Sequence, residues 1–245
     1  THEGNIDRLA AAGIASGCAV WKYCATAGVT RGQMAGFLHR VVKPISPPPY
    51  PAPTGPQTLH VAIDGDDAGN GCTDVATPCA TVRYALRTAM PGETISVGPG
   101  TFSEQPWAIG ASQAIRGDSR GGTIIQATCA PYVGFLAVPE GRTLTISRLT
   151  ITGCHTDYPP PIDNLGALEF VDVAISANSG AIGAIHNNGE LRIRESSITG
   201  NHASWGGGAI FNRRSATIED SVLSGNSSAG HGGAIVTTSS SNARI

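Results

Sequence analysis

The side chains of this 245-residue chain that could do chemistry are few and far apart. Asp172, Glu195 and Asp220 recur at offsets of 23 and 25, with Arg148 a further 24 upstream. Carboxylates at such spacing act together only if the chain returns to one place once per interval. Stacked in that way they repel, unless a cation or a basic side chain stands between them. Either the column holds Ca²⁺ or an acidic sugar, or it is a solvated, partly paired surface in which Arg194 pairs with Glu219. A second acidic stretch, Asp64-Gly65-Asp66-Asp67-Ala68-Gly69-Asn70-Gly71, alternates oxygen ligands with glycine. Val75 stands where the closing glutamate of an EF-hand would be, which favours an ordinary polar turn. Trp107, Tyr158 and Trp205 offer aromatic faces to sugar rings, with packing as the competing role. Of these, Trp205 reads as a loop-tip residue, and Tyr158 sits in the long insertion at residues 156–162 (TDYPPPI). His155, His186 and His202 show no ligand spacing, and no Gly-x-Ser-x-Gly elbow, Walker loop or dinucleotide fingerprint occurs.

The elements that must position these residues repeat. Four segments align: residues 144–154 (LTISRLTITGC), 168–178 (LEFVDVAISAN), 191–201 (LRIRESSITGN) and 216–226 (ATIEDSVLSGN), at offsets of 24, 23 and 25. Gly-Ala-Ile recurs at Gly183, Gly208 and Gly233, and Asn164, Asn187 and Asn212 form a third column followed by Thr237. Within a segment, Leu191 and Ile193 point one way and Arg192 and Arg194 the other, which is a strand of three or four residues before a corner. About 24 residues cannot bury a face alone, so each unit must stack on its neighbours. Short strands, Gly/Asn corners and this period predict a parallel β-helix. Leucine-rich repeats share the period but need a multi-leucine consensus, and propeller blades are longer, at about 40 residues.

Within that stack Asn178, Asn201 and Asn226 share a corner column. Asparagine tolerates positive φ, and stacked side-chain amides hydrogen-bond along the axis, so the column is expected to be a structural ladder. Cys154 holds the first place in the column, and Cys129 lies one repeat interval earlier, which is one coil away. Coils about 4.8 Å apart put the pair within disulfide reach. The six cysteines fall in three close sets, Cys18/Cys24, Cys72/Cys79 and Cys129/Cys154. Pairing within each set is the simplest of the fifteen arrangements. An even count without a CxxC motif favours an oxidising compartment over a zinc site.

Composition bounds the rest. Only 14% of residues are charged, against about 25% in ordinary domains, and 32 glycines with 16 prolines exclude a helix-rich protein. A net charge of −2, with lysine only at 22 and 43, disfavours nucleic acid as a partner. No stretch is long and apolar enough to predict a membrane-spanning helix. Three segments are expected. Residues 1–43 form a small α-helical module, with Thr30 and Gln33 as a capping box. Residues 44–58 are a proline-rich spacer, of which the thirteen residues 44–56 would span about 40 Å if extended. Residues 59–245 are the β-helix: an opening strand and capping helix over 59–93, then coils over 94–245. The chain starts at Thr1 and stops within a repeat at Ile245, so it reads as a piece of a longer one.

Two resemblances add to this reading. Residues 6–18 (IDRLAAAGIASGC), Cys24 and residues 29–38 (VTRGQMAGFL) resemble one S-layer homology repeat. That family binds cell-wall polysaccharide through a Thr-Arg-Ala-Glu-like motif, here Thr30-Arg31-Gly32-Gln33, which makes Arg31 a carbohydrate-binding candidate. Residues 59–245, with GGGAIFN-type repeats and the stretch CTDVATPCATVRYALRTAMPGETISVGPGTFSE, resemble right-handed parallel β-helix proteins of bacterial surfaces, related to polymorphic outer-membrane proteins and pectate-lyase-like folds. Pectate lyases of that fold place Ca²⁺ on an external acidic patch, and polygalacturonases carry a Gly-His-Gly motif, matched here by Gly230-His231-Gly232.

The resulting expectation is a mainly β chain, a right-handed parallel β-helix with a coil of about 24 residues behind a helical module. It would be secreted, held at the cell surface or wall, and would bind wall or extracellular polysaccharide through coil loops, with Trp205 and Tyr158 as candidates beside Arg31. The alternatives are a lyase or hydrolase acting on acidic polysaccharide, with Ca²⁺ at Asp172, Glu195 and Asp220, and an inert stalk.

Overall fold

The computed structural model describes residues 56–129, 134–239 and 241–245. The helical module, Arg31, the Cys18–Cys24 pair and most of the proline spacer lie outside the described residues.

One coil shows how the sequence makes the fold. Thr143–Ser147 is a strand because its apolar residues alternate: Leu144 and Ile146 are buried while Thr143, Thr145 and Ser147 face outward. Arg148 then turns the chain at φ 58°. A second strand follows at Thr150–Thr152, Gly153 turns it again at φ 84°, and a third strand runs over Ile162–Asn164. Leu165 and Gly166 return the chain to the first face, where Ala167–Val171 pairs with Thr143–Ser147 in parallel register. Repetition builds three parallel sheets of eight, six and six strands and a short fourth ladder of three. Leu144, Leu168, Leu191 and Ala216 are successive register partners, at the offsets read in the sequence. Each coil adds one residue to an apolar column such as Ile95, Ile115, Ile146, Phe170, Ile193 and Ile218, all buried. Burying a side chain of this size is worth about 1.5–3 kcal/mol.

The Arg148 corner is a column of its own. Asp172, Glu195 and Asp220 occupy it at φ 56°, 52° and 49°. A left-handed turn costs a non-glycine residue about 1–2 kcal/mol. The offset is a hydrogen bond to the next coil: Arg148 N–H donates to Val171 O, Asp172 N–H to Arg194 O and Glu195 N–H to Glu219 O, at 3.1–3.2 Å.

Two asparagine ladders hold the other corners. Asn178 and Asn201 each donate from backbone N–H and side-chain Nδ2 to the Oδ1 of the next coil's asparagine, Asn201 and Asn226, at 3.0–3.1 Å. Asn164, Asn187 and Asn212 make a second, fully buried ladder, with Asn164 Nδ2 to Asn187 Oδ1 and Asn187 Nδ2 to Asn212 Oδ1 both 2.7 Å. That ladder starts at Asn164 because the preceding coil has Val138 in register, which cannot donate; Asn164 Oδ1 is left without a partner among the described residues.

One helix, Val82–Thr88, covers the first coils with Val82, Ala85 and Leu86 inward, as its sequence pattern predicts. Its exposed N–H groups are met from three directions. Glu104 accepts from Val82 N (2.7 Å) and Arg83 N (3.1 Å), Thr81 Oγ1 accepts from Tyr84 N (3.1 Å), and Asp67 accepts from Ala80 N, Thr81 N and Thr81 Oγ1. The acidic turn at residues 64–71 thus contributes one capping carboxylate, Asp67. Asp67 serves the helix, and Asn70 Nδ2 donates to the carbonyls of Asp66, Thr77 and Pro78. Cys72–Cys79 closes the same turn, with Cα atoms 5.1 Å apart.

Replacing Asn187 with Ala removes side-chain bonds to Asn164, Gly189, Asn212 and Ser215. A loss of about 3 kcal/mol is expected from the buried groups left unpaired, measured by urea unfolding. The partly exposed Asn226→Ala should lose clearly less. Glu104 supplies a pH test. Burial raises its pKa above the ordinary carboxylate value, against the lowering effect of its bonds from Trp107, Val82 and Arg83. A raised folded-state pKa favours folding below the unfolded value and loses that contribution as pH climbs through the folded one. As pH rises from the ordinary carboxylate range, the wild type should therefore lose stability relative to Glu104→Gln. A difference that stays constant with pH would count against this account.

Candidate functional site

The longest break in the coil pattern borders an open cleft. Between Thr150–Thr152 and Ile162–Asn164 the chain carries the insertion at residues 156–162. Its proline end is anchored: Pro160 and Pro161 are buried, and Pro161 O accepts from Phe135 N (2.9 Å) and Leu136 N (3.0 Å). Gly180 lets this segment approach, because a Cβ there would stand 2.7 Å from Pro161 Cδ. The anchored prolines hold Tyr158 out in solvent, 64% exposed.

Beside Tyr158 lies a cleft of about 530 Å³. Its floor is part of the short fourth ladder: His155, Ser179 and His202 line the cleft as successive register partners, and Ser227 follows His202 in the same ladder. His155 Nδ1 is 2.9 Å from Ser179 Oγ, and His202 Nδ1 is 3.0 Å from Ser227 Oγ. Asp157, Thr156 and Ser204 complete the polar lining, and Cys129 closes one end. Cys129 is bonded to Cys154, Cα atoms 5.2 Å apart, joining adjacent coils where the asparagine column begins. Cys154 N–H donates to Asn178 Oδ1, which continues the ladder through the disulfide. Thr156 Oγ1 is buried at the cleft without a hydrogen-bond partner among the described residues. These side chains can hydrogen-bond hydroxyls and stack a ring, which is the chemistry of sugar recognition.

Other expected residues lie elsewhere. Trp205 is 54% exposed but turned to the strand Ile210–Asn212, in the sheet that also holds Ile162–Asn164. It packs on Phe211 at 5.6 Å and meets His231 edge-on at 5.9 Å. His186 continues that group, 5.8 Å from Phe211 and hydrogen-bonded to Asp163 at 3.0 Å. Trp107 cannot meet a ligand: it is 3% exposed, against Phe135, with Nε1 donating to Glu104. Its apolar bulk fills the coil beneath the capping helix. Asp172, Glu195 and Asp220 do share a column, and Asp172 is paired with Arg120 at 2.7 Å. The expected Arg194–Glu219 pair is not made. Arg194 reaches Glu169 instead, at 2.7 Å, because a long side chain spans the diagonal between strands as easily as the direct neighbour. Among the described residues no three His, Cys, Asp or Glu side chains are grouped closely enough to hold a metal ion.

The His155/His202 column escaped the sequence reading, although its offsets of 24, 23 and 25 match the repeat. The signal was hidden because the column alternates residue type, so no identity recurs from coil to coil.

A family model described as the Chlamydia polymorphic membrane protein repeat matches residues 195–213 and 220–238. Each matched stretch starts at a left-handed corner residue, Glu195 or Asp220, and ends one residue past a strand, Ile210–Asn212 or Ile235–Thr237. No curated protein and no solved structure matches the chain. Among the described residues no helix is long and apolar enough to cross a membrane.

The two disulfides among the described residues can be checked directly. Unfolded without reductant, the protein should take up no alkylating label at Cys72, Cys79, Cys129 or Cys154, and full label after reduction. Label at Cys129 before reduction would remove the bond from the cleft wall.

Proposed function

We propose that the protein is an extracellular surface β-helix that binds polysaccharide in the cleft beside Tyr158. The observation that carries this reading is the cleft itself: an exposed aromatic ring held by an anchored proline loop, over a floor of hydrogen-bonding side chains. Concave sites with one apolar platform and a few convergent polar groups are the usual form of small-ligand sites. The matched repeats, named for a membrane-protein family, support a surface location, and the disulfides fit an oxidising compartment. The S-layer homology-like residues 1–43, with Arg31, would attach the chain to the wall, and the proline spacer would hold the coils away from it.

Binding is favoured over cleavage by the cleft's composition. Acid/base hydrolysis of a glycosidic bond uses two carboxyl groups, and Asp157 is the one carboxylate among the described lining residues.

Tyr158→Ala should lower affinity for a wall polysaccharide by about tenfold, the scale of one aromatic contact, in isothermal titration against a polysaccharide panel. Its thermal midpoint should stay at the wild-type value, because the ring is exposed. Undiminished affinity in the variant would move the site away from this cleft.

A further inference from the structure

The floor of the cleft has a period that the buried columns lack. The buried columns and both asparagine ladders repeat every coil. The ladder that makes the floor repeats every two, as His155, Ser179 and His202 in the cleft and Ser227 next beyond it. The alternation is chemical as well as sequential. Each imidazole uses Nδ1 on the serine of the next coil. Each serine hydroxyl on the floor is thereby engaged, and among the described residues neither ring hydrogen-bonds through Nε2. Whichever tautomer is present, Nε2 takes the opposite role to Nδ1 and remains for a ligand. The outward-facing hydrogen-bonding atoms of the floor therefore recur at two coil spacings, about 10 Å, a distance comparable with two sugar residues in an extended chain.

We propose that this cleft selects a linear polysaccharide with a two-residue repeat, lying along the coil axis with one repeat for each pair of coils. The proposal rests on the polysaccharide reading above and adds the ligand's direction and period. A homopolymer laid on this floor meets imidazole and serine at alternate, otherwise identical residues, so half its contacts are mismatched. An alternating polymer meets the same group with the same sugar each time. Tyr158 stands at one end of the row, and Thr156 Oγ1, buried and unpartnered among the described residues, adds one more polar atom there.

The test is isothermal titration of the intact chain with two sets of oligosaccharides. One set alternates N-acetylhexosamine and uronate and the other is oligogalacturonate, each with two, four and six residues. Affinity for the alternating set should rise between two and four residues and level off by six. The homopolymers should bind about tenfold more weakly at equal length. His155→Gln and His202→Gln should each weaken the four-residue alternating ligand about fivefold, the scale of one hydrogen bond. Both rings are exposed, so unfolding midpoints should stay unchanged. Equal binding of the two sets, a steady gain with every added residue, or wild-type affinity in either histidine variant would overturn the two-residue period and leave polysaccharide binding standing. If neither these oligosaccharides nor any polysaccharide in the panel binds, the underlying reading falls with it.

Discussion

Everything in this fold depends on parallel register between coils. Side chains alternate across each strand, so a slip of one residue would turn a buried isoleucine outward and an outward threonine into the core. Hydrophobic burial penalises the slip but does not by itself say where each corner belongs. The asparagine ladders do. Asn187 has one acceptable position, with Asn164 on one side and Asn212 on the other, because only there are its amide groups satisfied in a dry interior. The Cys129–Cys154 bond takes over where the Asn178 column begins, so a covalent link replaces an amide at the coil that carries the largest insertion.

The candidate site follows from the same constraint. A coil can depart from the common path only between points where its neighbours hold it, and the departure at residues 156–162 is held by the disulfide at one end and by buried prolines at the other. A loop tied at both ends loses less freedom when it takes a ligand than a loose one would. The regular coils supply a straight floor and the irregular one supplies a wall.

Much of this was legible in the sequence, for a physical reason. A stacked fold repeats its environments, so Leu144, Leu168 and Leu191 had to be alike, and their spacing gave strands, corners and register at once. The Cys129–Cys154 bond could be read for the same reason, since both residues were placed by the repeat. What could not be read was anything made by residues in different environments. Glu104 caps a helix that begins 22 positions earlier, and no local pattern links it to Val82. Trp107 offered an aromatic face in the sequence, but its burial depends on Phe135, in the following coil. Arg194 chose a diagonal partner over its column neighbour, a difference of side-chain reach that spacing does not contain.

The left-handed corner has a further consequence. At Arg148, Asp172, Glu195 and Asp220 the backbone makes the turn, and the side chains lie outside the core: Glu195 and Asp220 are exposed, Arg148 reaches the Asp118 carbonyl and Asp172 pairs with Arg120. The position therefore asks little of residue identity beyond tolerance of the turn, and a cation and three anions already share it. Such a row can change its charge one coil at a time without disturbing the core beneath it. It gives the molecule an edge whose surface character can diversify while the architecture stays the same.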